Sequence, residues 1–340
     1  MGYTLEQIAK LAGVSRSTVS RVINEHPHVR EEVRERVQQV IRQAGYQPHA
    51  AARSLVTHRT RVIGLLIPEA VSTLFTQPYF SLLIGGITEA CNRHRYHLML
   101  SLFSHRSEQE GLYQRVLHSG YLDGVIVASS HDDDPLIPHL LRDGVTFVQV
   151  SRSDDPRVNY VEVDNVEGAR MATEHLLRRG HRRVATITGP LTMMPGKDRL
   201  TGYRQALEAR GLAVDDDLTV EGDFTEEGAR AAARELLVRK PTAIFAASDT
   251  MAIGVLQAAR DAGIRVPRDV ALVGFDDLPM ASLVEPALTT VRQPIGRLGA
   301  TAVDVLLGLL EARGDGGDSV HRVLLPTELV VRASCGSAGQ

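Results

Sequence analysis

Arg16 and Ser17 open a short segment, Arg16–Ile23, in which apolar and polar side chains alternate at helical spacing. An arginine fork matches the two acceptors on the major-groove edge of guanine, and serine is a permissive partner for several bases. Ser15, Thr18, Ser20 and Arg21, with Thr4 upstream, are placed for phosphate oxygens or a nearby base. The chemistry on offer is recognition of a base edge. The same pattern also suits a small helical bundle with a solvated polar face.

Positioning these residues needs two helices and a tight turn. Leu5, Ile8, Ala9 and Ala12 have helical spacing, and Thr4 with Gln7 reads as a capping box. Gly13 is the expected stop, since a sharp turn favours a residue that tolerates positive φ. Ser15 caps the second helix, whose buried stripe is Val19, Val22 and Ile23, and Asn24 is its expected end. Two short helices about a glycine turn match a helix-turn-helix. A third helix is expected over Arg30–Ala44, with Val33, Val37, Val40 and Ile41 inward and Gly45 ending it. The first sixty residues carry nine Lys/Arg and five Asp/Glu. They are net +4 in a chain of net −3, which leaves −7 for the rest. A basic head on an acidic body points to a polyanion at the head alone.

The run TLEQIAKLAGVSRSTVSRVINEHPHV, followed by GYQPHAAARSL, resembles the headpiece and hinge of the lactose/galactose repressor (LacI/GalR) family. The resemblance implies that Ala50–Leu55 forms a hinge helix on operator DNA, with Leu55 as an apolar wedge in the minor groove. Asn24, His28, Tyr46, His49, Ala52 and Arg53 complete the expected DNA-facing set. Three positions depart from the pattern. Arg30 stands where a serine cap is usual, a loss of roughly 1 kcal/mol. Val33 stands where threonine is frequent, and His49 where asparagine is usual.

From Arg61 the pattern changes to alternating strands and helices. Strands are expected at Val62–Ile67, Leu98–Leu102, Val125–Ala128, Thr146–Val150, Val184–Thr188, Ala243–Ala246 and Val270–Gly274. Helices are expected near Tyr79–Arg95, Glu108–His118, Leu136–Arg142, Val166–Arg179, Lys197–Ala209, Glu226–Arg239 and Met251–Ala262. Repeated βαβ units imply parallel doubly wound sheets covered on both faces. Two such halves make a bilobed α/β domain that binds a ligand in the cleft between lobes, outside the carboxyl ends of the strands. The resemblance to the family's periplasmic-binding-protein-like domain runs to about Arg332. The expected organisation is a headpiece at 1–46, a hinge and linker at 47–60 and a bilobed effector-binding and dimerisation domain at 61–332. By family topology, lobe one takes about 61–163 and 293–325, and lobe two about 164–292 and 326–332. Residues 333–340 are expected as a disordered tail.

The resemblance also supplies effector residues. Arg199 occupies the post-strand position that clasps effector hydroxyls or carboxylate, and Asp276 matches the acid that accepts effector hydrogen bonds. Phe224 stands where an aromatic stacks on a sugar ring, and Ser248 where asparagine or serine is frequent. Tyr79, Phe80, Ser129, Arg152, Asp164 and Asp249 complete the expected set. Each has a plainer alternative: Tyr79 and Phe80 as core, Asp249 and Asp164 as caps of the helices that follow them. An arginine fork with a carboxylate suits a polyol.

Other classes are weaker. The first residues, MGYTLEQIAK, lack the apolar core of a secretory signal, and no apolar run reaches membrane-spanning length. Cys91 and Cys335 are therefore expected as free thiols in the cytoplasm. A P-loop, paired metal motifs and a catalytic triad are all missing from the sequence; no enzyme, metal or cofactor is expected. The reading is a homodimeric or tetrameric repressor of carbohydrate genes that binds a palindromic operator and responds to a sugar, with no membrane partner. A purine- or nucleoside-responsive regulator of the same family and a solute-binding protein are the alternatives.

Overall fold

The computed structural model describes residues 3–23, 26–46, 59–69, 71–103, 120–128, 131–132, 134–312 and 319–336. The chain divides into two compact units, Met1–Thr60 and Arg61–Gln340.

The first unit holds α1 (Leu5–Ala12), α2 (Arg16–Ile23) and α3 (Glu31–Ala44). The capping box is present: the Thr4 amide donates to Gln7 Oε1 at 2.8 Å, and the Gln7 amide to Thr4 Oγ1 at 3.3 Å. Gly13 closes α1 at φ +64°, a conformation that a side chain would strain. Ser15 Oγ accepts the Thr18 amide at 3.1 Å and so caps α2. Arg30 stands at the cap of α3 with no side-chain bond, as its type dictates. Ile8, Ala9, Ala12, Val19, Val22, Val37 and Tyr46 bury together, so each helix contributes to one small core.

The second unit contains two six-stranded sheets. Sheet one runs β11 (Arg322–Leu325), β5 (Tyr160–Val163), β4 (Phe147–Val150), β3 (Gly124–Ala128), β1 (Val62–Ile67), β2 (His97–Leu102), all parallel. Sheet two runs β12 (Glu328–Val330), β10 (Thr289–Arg292), β9 (Ala271–Asp276), β8 (Ala243–Ala246), β6 (Val184–Thr188), β7 (Thr219–Glu221). Only its edge pair β10–β12 is antiparallel.

The central strands are apolar without interruption because both faces are covered. In sheet one, Ile63 and Leu65 meet Leu83, Ile87, Val303 and Leu306 of α5 (Pro78–Arg93) and α11 (Ile295–Ala312), after the short α4 (Val71–Thr76). Leu66, Val125 and Phe147 pack on the other face against α6 (Leu136–Arg142). A Cβ on Gly86 would lie 2.0 Å from the Gly296 carbonyl oxygen, so α5 and α11 touch backbone to backbone. In sheet two, α9 (Glu226–Val238) and α10 (Asp249–Asp261) cover one face. The other face is covered by α7 (Asn165–Arg178) and α8 (Met194–Glu208).

The chain passes from sheet one to sheet two after β5, returns with α11 and β11, and crosses again to β12. Each lobe is thus discontinuous in sequence. The expected doubly wound α/β class is what forms. Five strands (β5, β7, β10, β11, β12) and two helices (α4, α11) were not singled out from the sequence. The helix expected at 108–118 lies outside the described residues. The tail expectation is corrected at its start: Ala333–Cys335 form a 3-10 turn with Ser334 and Cys335 buried. Ser334 Oγ donates to the Leu272 carbonyl at 2.7 Å and accepts the Thr289 amide at 2.8 Å, which ties the segment to sheet two.

Candidate functional site

On the headpiece, Arg16, Ser17 and Arg21 are exposed along one face of α2, opposite buried Val19 and Val22. Ser15 Oγ lies 2.8 Å from both Ser17 Oγ and Thr18 Oγ1, which sets the hydroxyls in one cluster at the helix start. Arg16 pairs with Glu6 at 3.3 Å, both side chains largely exposed. Such a pair contributes little to stability and yields readily to a better anion. Thr4 and His28 are exposed, and Ser20 is half-buried. Tyr46 is a correction: its ring lies in the three-helix core, because it follows the turn at Gly45 back onto Ile8 and Val37. Asn24, His49, Ala52, Arg53 and Leu55 lie outside the described residues.

Between the two sheets of the second unit lies a cavity of about 350 Å³. That is within the size range of small-molecule sites. Tyr79 and Phe80 wall one side from α5, their rings edge to face at 5.5 Å. Phe224, Ser248, Arg199 and Asp276 line it from the other lobe, and Gln293 from the crossover. Phe224 has φ +61° and Asp276 φ +116°, two backbone positions that L side chains rarely adopt. Local strain of this kind gathers where side chains must be aimed. The Phe224 ring lies against Gly189; a Cβ there would sit 2.1 Å from ring carbon Cζ.

Arg199 is buried and its guanidinium is already held. Nε donates to Asn165 Oδ1 at 2.8 Å, and Nη1 to the Ala247 carbonyl at 2.5 Å and Asp276 Oδ1 at 3.5 Å. Its Cζ lies 3.8 Å from the Phe275 ring centroid. Asp276 also accepts from Gln293 Nε2 at 2.6 Å. Burial pushes its carboxyl up to about 6, opposed by the Arg199 charge and the Gln293 bond. Burial, followed by the Glu162 and Asp276 carboxylates, drives the Tyr79 phenol well above its usual range, so it faces the cavity as a neutral donor.

Residues 4–49 match the lacI family of bacterial regulatory proteins, and residues 173–335 match the periplasmic binding protein-like domain. Over 336 residues the chain is 42% identical to the HTH-type transcriptional regulator CelR of Thermobifida fusca, spanning 97% of this chain and 98% of that one. The chain belongs to the LacI family. Among solved structures it resembles a CelR–cellobiose complex, with TM-score 0.78, 39% identity and coverage of 98% of this chain and 99% of that one. It also resembles a lac repressor dimer bound to operator and an anti-inducer, with TM-score 0.85, 28% identity and the same coverages. This LacI-family chain is a DNA-binding transcription regulator, with α2 as the second helix of its helix-turn-helix. No helix among the described residues is long and apolar enough to cross a membrane.

Three residues expected at the effector site of this LacI-family regulator are engaged elsewhere. Asp249 is fully buried and does not line the cavity; it accepts the Leu278 amide at 2.7 Å and the Thr290 hydroxyl at 2.5 Å. It ties the start of α10 to the Leu278 turn after β9 and to β10. The cap of α10 is Ser248, whose Oγ accepts the Met251 amide at 3.1 Å. Asp164 caps α7 by accepting the Glu167 amide at 2.9 Å. Arg152 does not line the cavity; Asp198 and Asp154 hold its guanidinium. Ser129 lies outside the described residues. Sequence reasoning missed Gln293, Asn165 and Glu162. Asn165 was visible as the residue after Val163-Asp164 at a strand end, while Gln293 and Glu162 carry no local signal.

Proposed function

We propose that this chain is a homodimeric repressor of carbohydrate genes whose operator affinity changes when a neutral sugar binds in the cleft. Cellobiose is the first candidate, by similarity to the CelR–cellobiose complex. The observation that carries the sugar reading is the charge balance of the cavity wall. Asp276, Glu69 and Asp223 are all among the residues that line it, while the Arg199 charge is already matched by Asp276. Such a wall repels phosphate and carboxylate, and it offers acceptors for hydroxyls. Phe224, Tyr79 and Phe80 supply apolar faces for a ring, and Ser248 and Arg199 supply polar contacts. Ser129 joins them as a proposal from the sequence.

At the operator, Arg16 and Ser17 read base edges, and Thr4, Ser15, Thr18, Ser20, Arg21 and His28 contact phosphate or sugar. Leu55 is the wedge. The role is recognition and switching, not catalysis.

The test is a titration of a selected palindromic DNA with the full chain at two salt concentrations. Cellobiose, ribose, ribose 5-phosphate and hypoxanthine are each added. Binding is expected to weaken steeply with salt. Cellobiose is expected to shift operator affinity by a factor of about 5–150, and ribose 5-phosphate not at all. A response to hypoxanthine alone would replace the sugar reading with the purine one.

A further inference from the structure

Arg152 follows β4 in the first lobe, and Asp198 lies on α8 in the second. Arg152 Nε and Nη2 reach the two oxygens of Asp198 at 2.7 Å each. This is a two-pronged pair from one lobe to the other. The Asp198 side chain is 8% exposed and that of Arg152 33%. Geometry and partial burial make it stronger than an open surface pair. Beside it, Asp132 and Lys197 meet at 2.5 Å, but both are well exposed. The Asp132 amide donates to the Thr192 carbonyl at 2.9 Å, again from lobe to lobe.

The latch continues inward. The Arg152 amide donates to Glu162 Oε2 at 2.5 Å. Glu162 Oε1 accepts from Asn165 Nδ2 at 2.6 Å, and Asn165 Oδ1 accepts from Arg199 Nε at 2.8 Å. Arg199 is the chain neighbour of Asp198. The contacts therefore form a closed ring: Arg152, Glu162, Asn165, Arg199, Asp198 and back to Arg152. Both crossing points of the ring lie between lobes, one at the Arg152–Asp198 pair and one at the Glu162–Asn165 bond just after β5.

We infer that Arg152 and Asp198 form an ionic latch that holds the lobes together, tied to Arg199 in the cavity through Glu162 and Asn165. Neither Arg152 nor Asp198 touches the cavity, so both act as positioning residues. Effector affinity is then set partly outside the binding site, because closing the lobes and ordering Arg199 are one event. The effector arm of this inference rests on the sugar reading above; the latch itself does not.

The experiment uses the full chain with Asp198→Asn, Arg152→Gln and both together; Lys197→Gln serves as the exposed comparison. Hydrogen exchange reads the lobe-one peptide that holds the Asp132 amide in the Asp198→Asn variant. It reads the lobe-two peptide around Thr192–Arg199 in the Arg152→Gln variant. Each single change is expected to speed exchange in the opposite lobe about fivefold, with the double no faster than either single. Lys197→Gln is expected to do less. Cellobiose affinity, read by calorimetry, is expected to fall about tenfold in both singles. Opposite-lobe exchange at the wild-type rate in both singles overturns the latch, as does an additive double. If exchange changes as expected while the wild-type protein binds no cellobiose, the latch stands and the sugar reading fails. Faster exchange with undiminished cellobiose affinity overturns the coupling to Arg199.

Discussion

Arg199 shows why one residue can serve the cavity and the fold at once. Its guanidinium satisfies Asn165, the Ala247 carbonyl and the Asp276 carboxylate within a buried space. Truncation leaves an uncompensated buried carboxylate and two acceptors without donors, a loss of about 3 kcal/mol. Arg199→Ala is therefore expected to unfold in less urea. It is also expected to lose the cellobiose response while still binding operator in the cold. Wild-type stability in that variant would contradict the pairing described. Asp249 makes the contrast: a carboxylate at a helix start, close to the cavity in sequence terms, is occupied entirely by Leu278 and Thr290.

At the scale of elements, the headpiece helices are set by their ends. Thr4 and Ser15 each satisfy an amide that the helix cannot, and Gly13 and Gly45 take positive φ. The start of α3 is the weak point, since Arg30 has backbone angles near those of a cap but no oxygen to offer. Arg30→Ser is expected to stabilise the headpiece by about 0.5–1 kcal/mol, read as slower exchange of the first-turn amides of α3. Unchanged protection there would mean that another group already satisfies them. The body elements are decided differently. Strands such as Val62–Ile67 are short apolar runs with no polar face, and only layers on both sides make them stable.

For the whole molecule, the junction of the lobes holds a carboxylate that is costly to ionise. Burial raises Glu162 from 4.5 to about 7, more than the Arg152 amide and the Arg199 charge can offset. A raised value means that the folded protein binds this proton more tightly than the unfolded chain. Glu162's contribution to stability is then fully present below pH 4.5 and is lost as pH rises through about 7. Isotope-edited NMR of the Glu162 carboxyl is expected to titrate near neutrality; a midpoint below 5 would refute the burial argument. Asp276, up to about 6 in the same interior, adds to the trend in the same direction.

What the sequence determined by itself was local. Caps, glycine stops and helical spacing defined the headpiece, since each depends on neighbours within four residues. Apolar runs alternating with amphipathic helices determined the α/β class, and the family resemblance, not spacing, marked Arg199, Phe224 and Asp276. The tertiary structure alone decided which polar groups face the cavity. Asp249, Asp164 and Arg152 have the right types and the right positions after strands, yet each is captured by a partner. Asp249 and Arg152 are held by residues at least 29 positions away, Leu278 and Asp198. Asp164 caps its own helix, a role its spacing already allowed. The edge strands β11 and β12 and the helix α11 likewise depend on a chain that leaves a lobe and returns. No local pattern encodes such a return, because its stabilisation comes from surfaces brought together across more than a hundred residues.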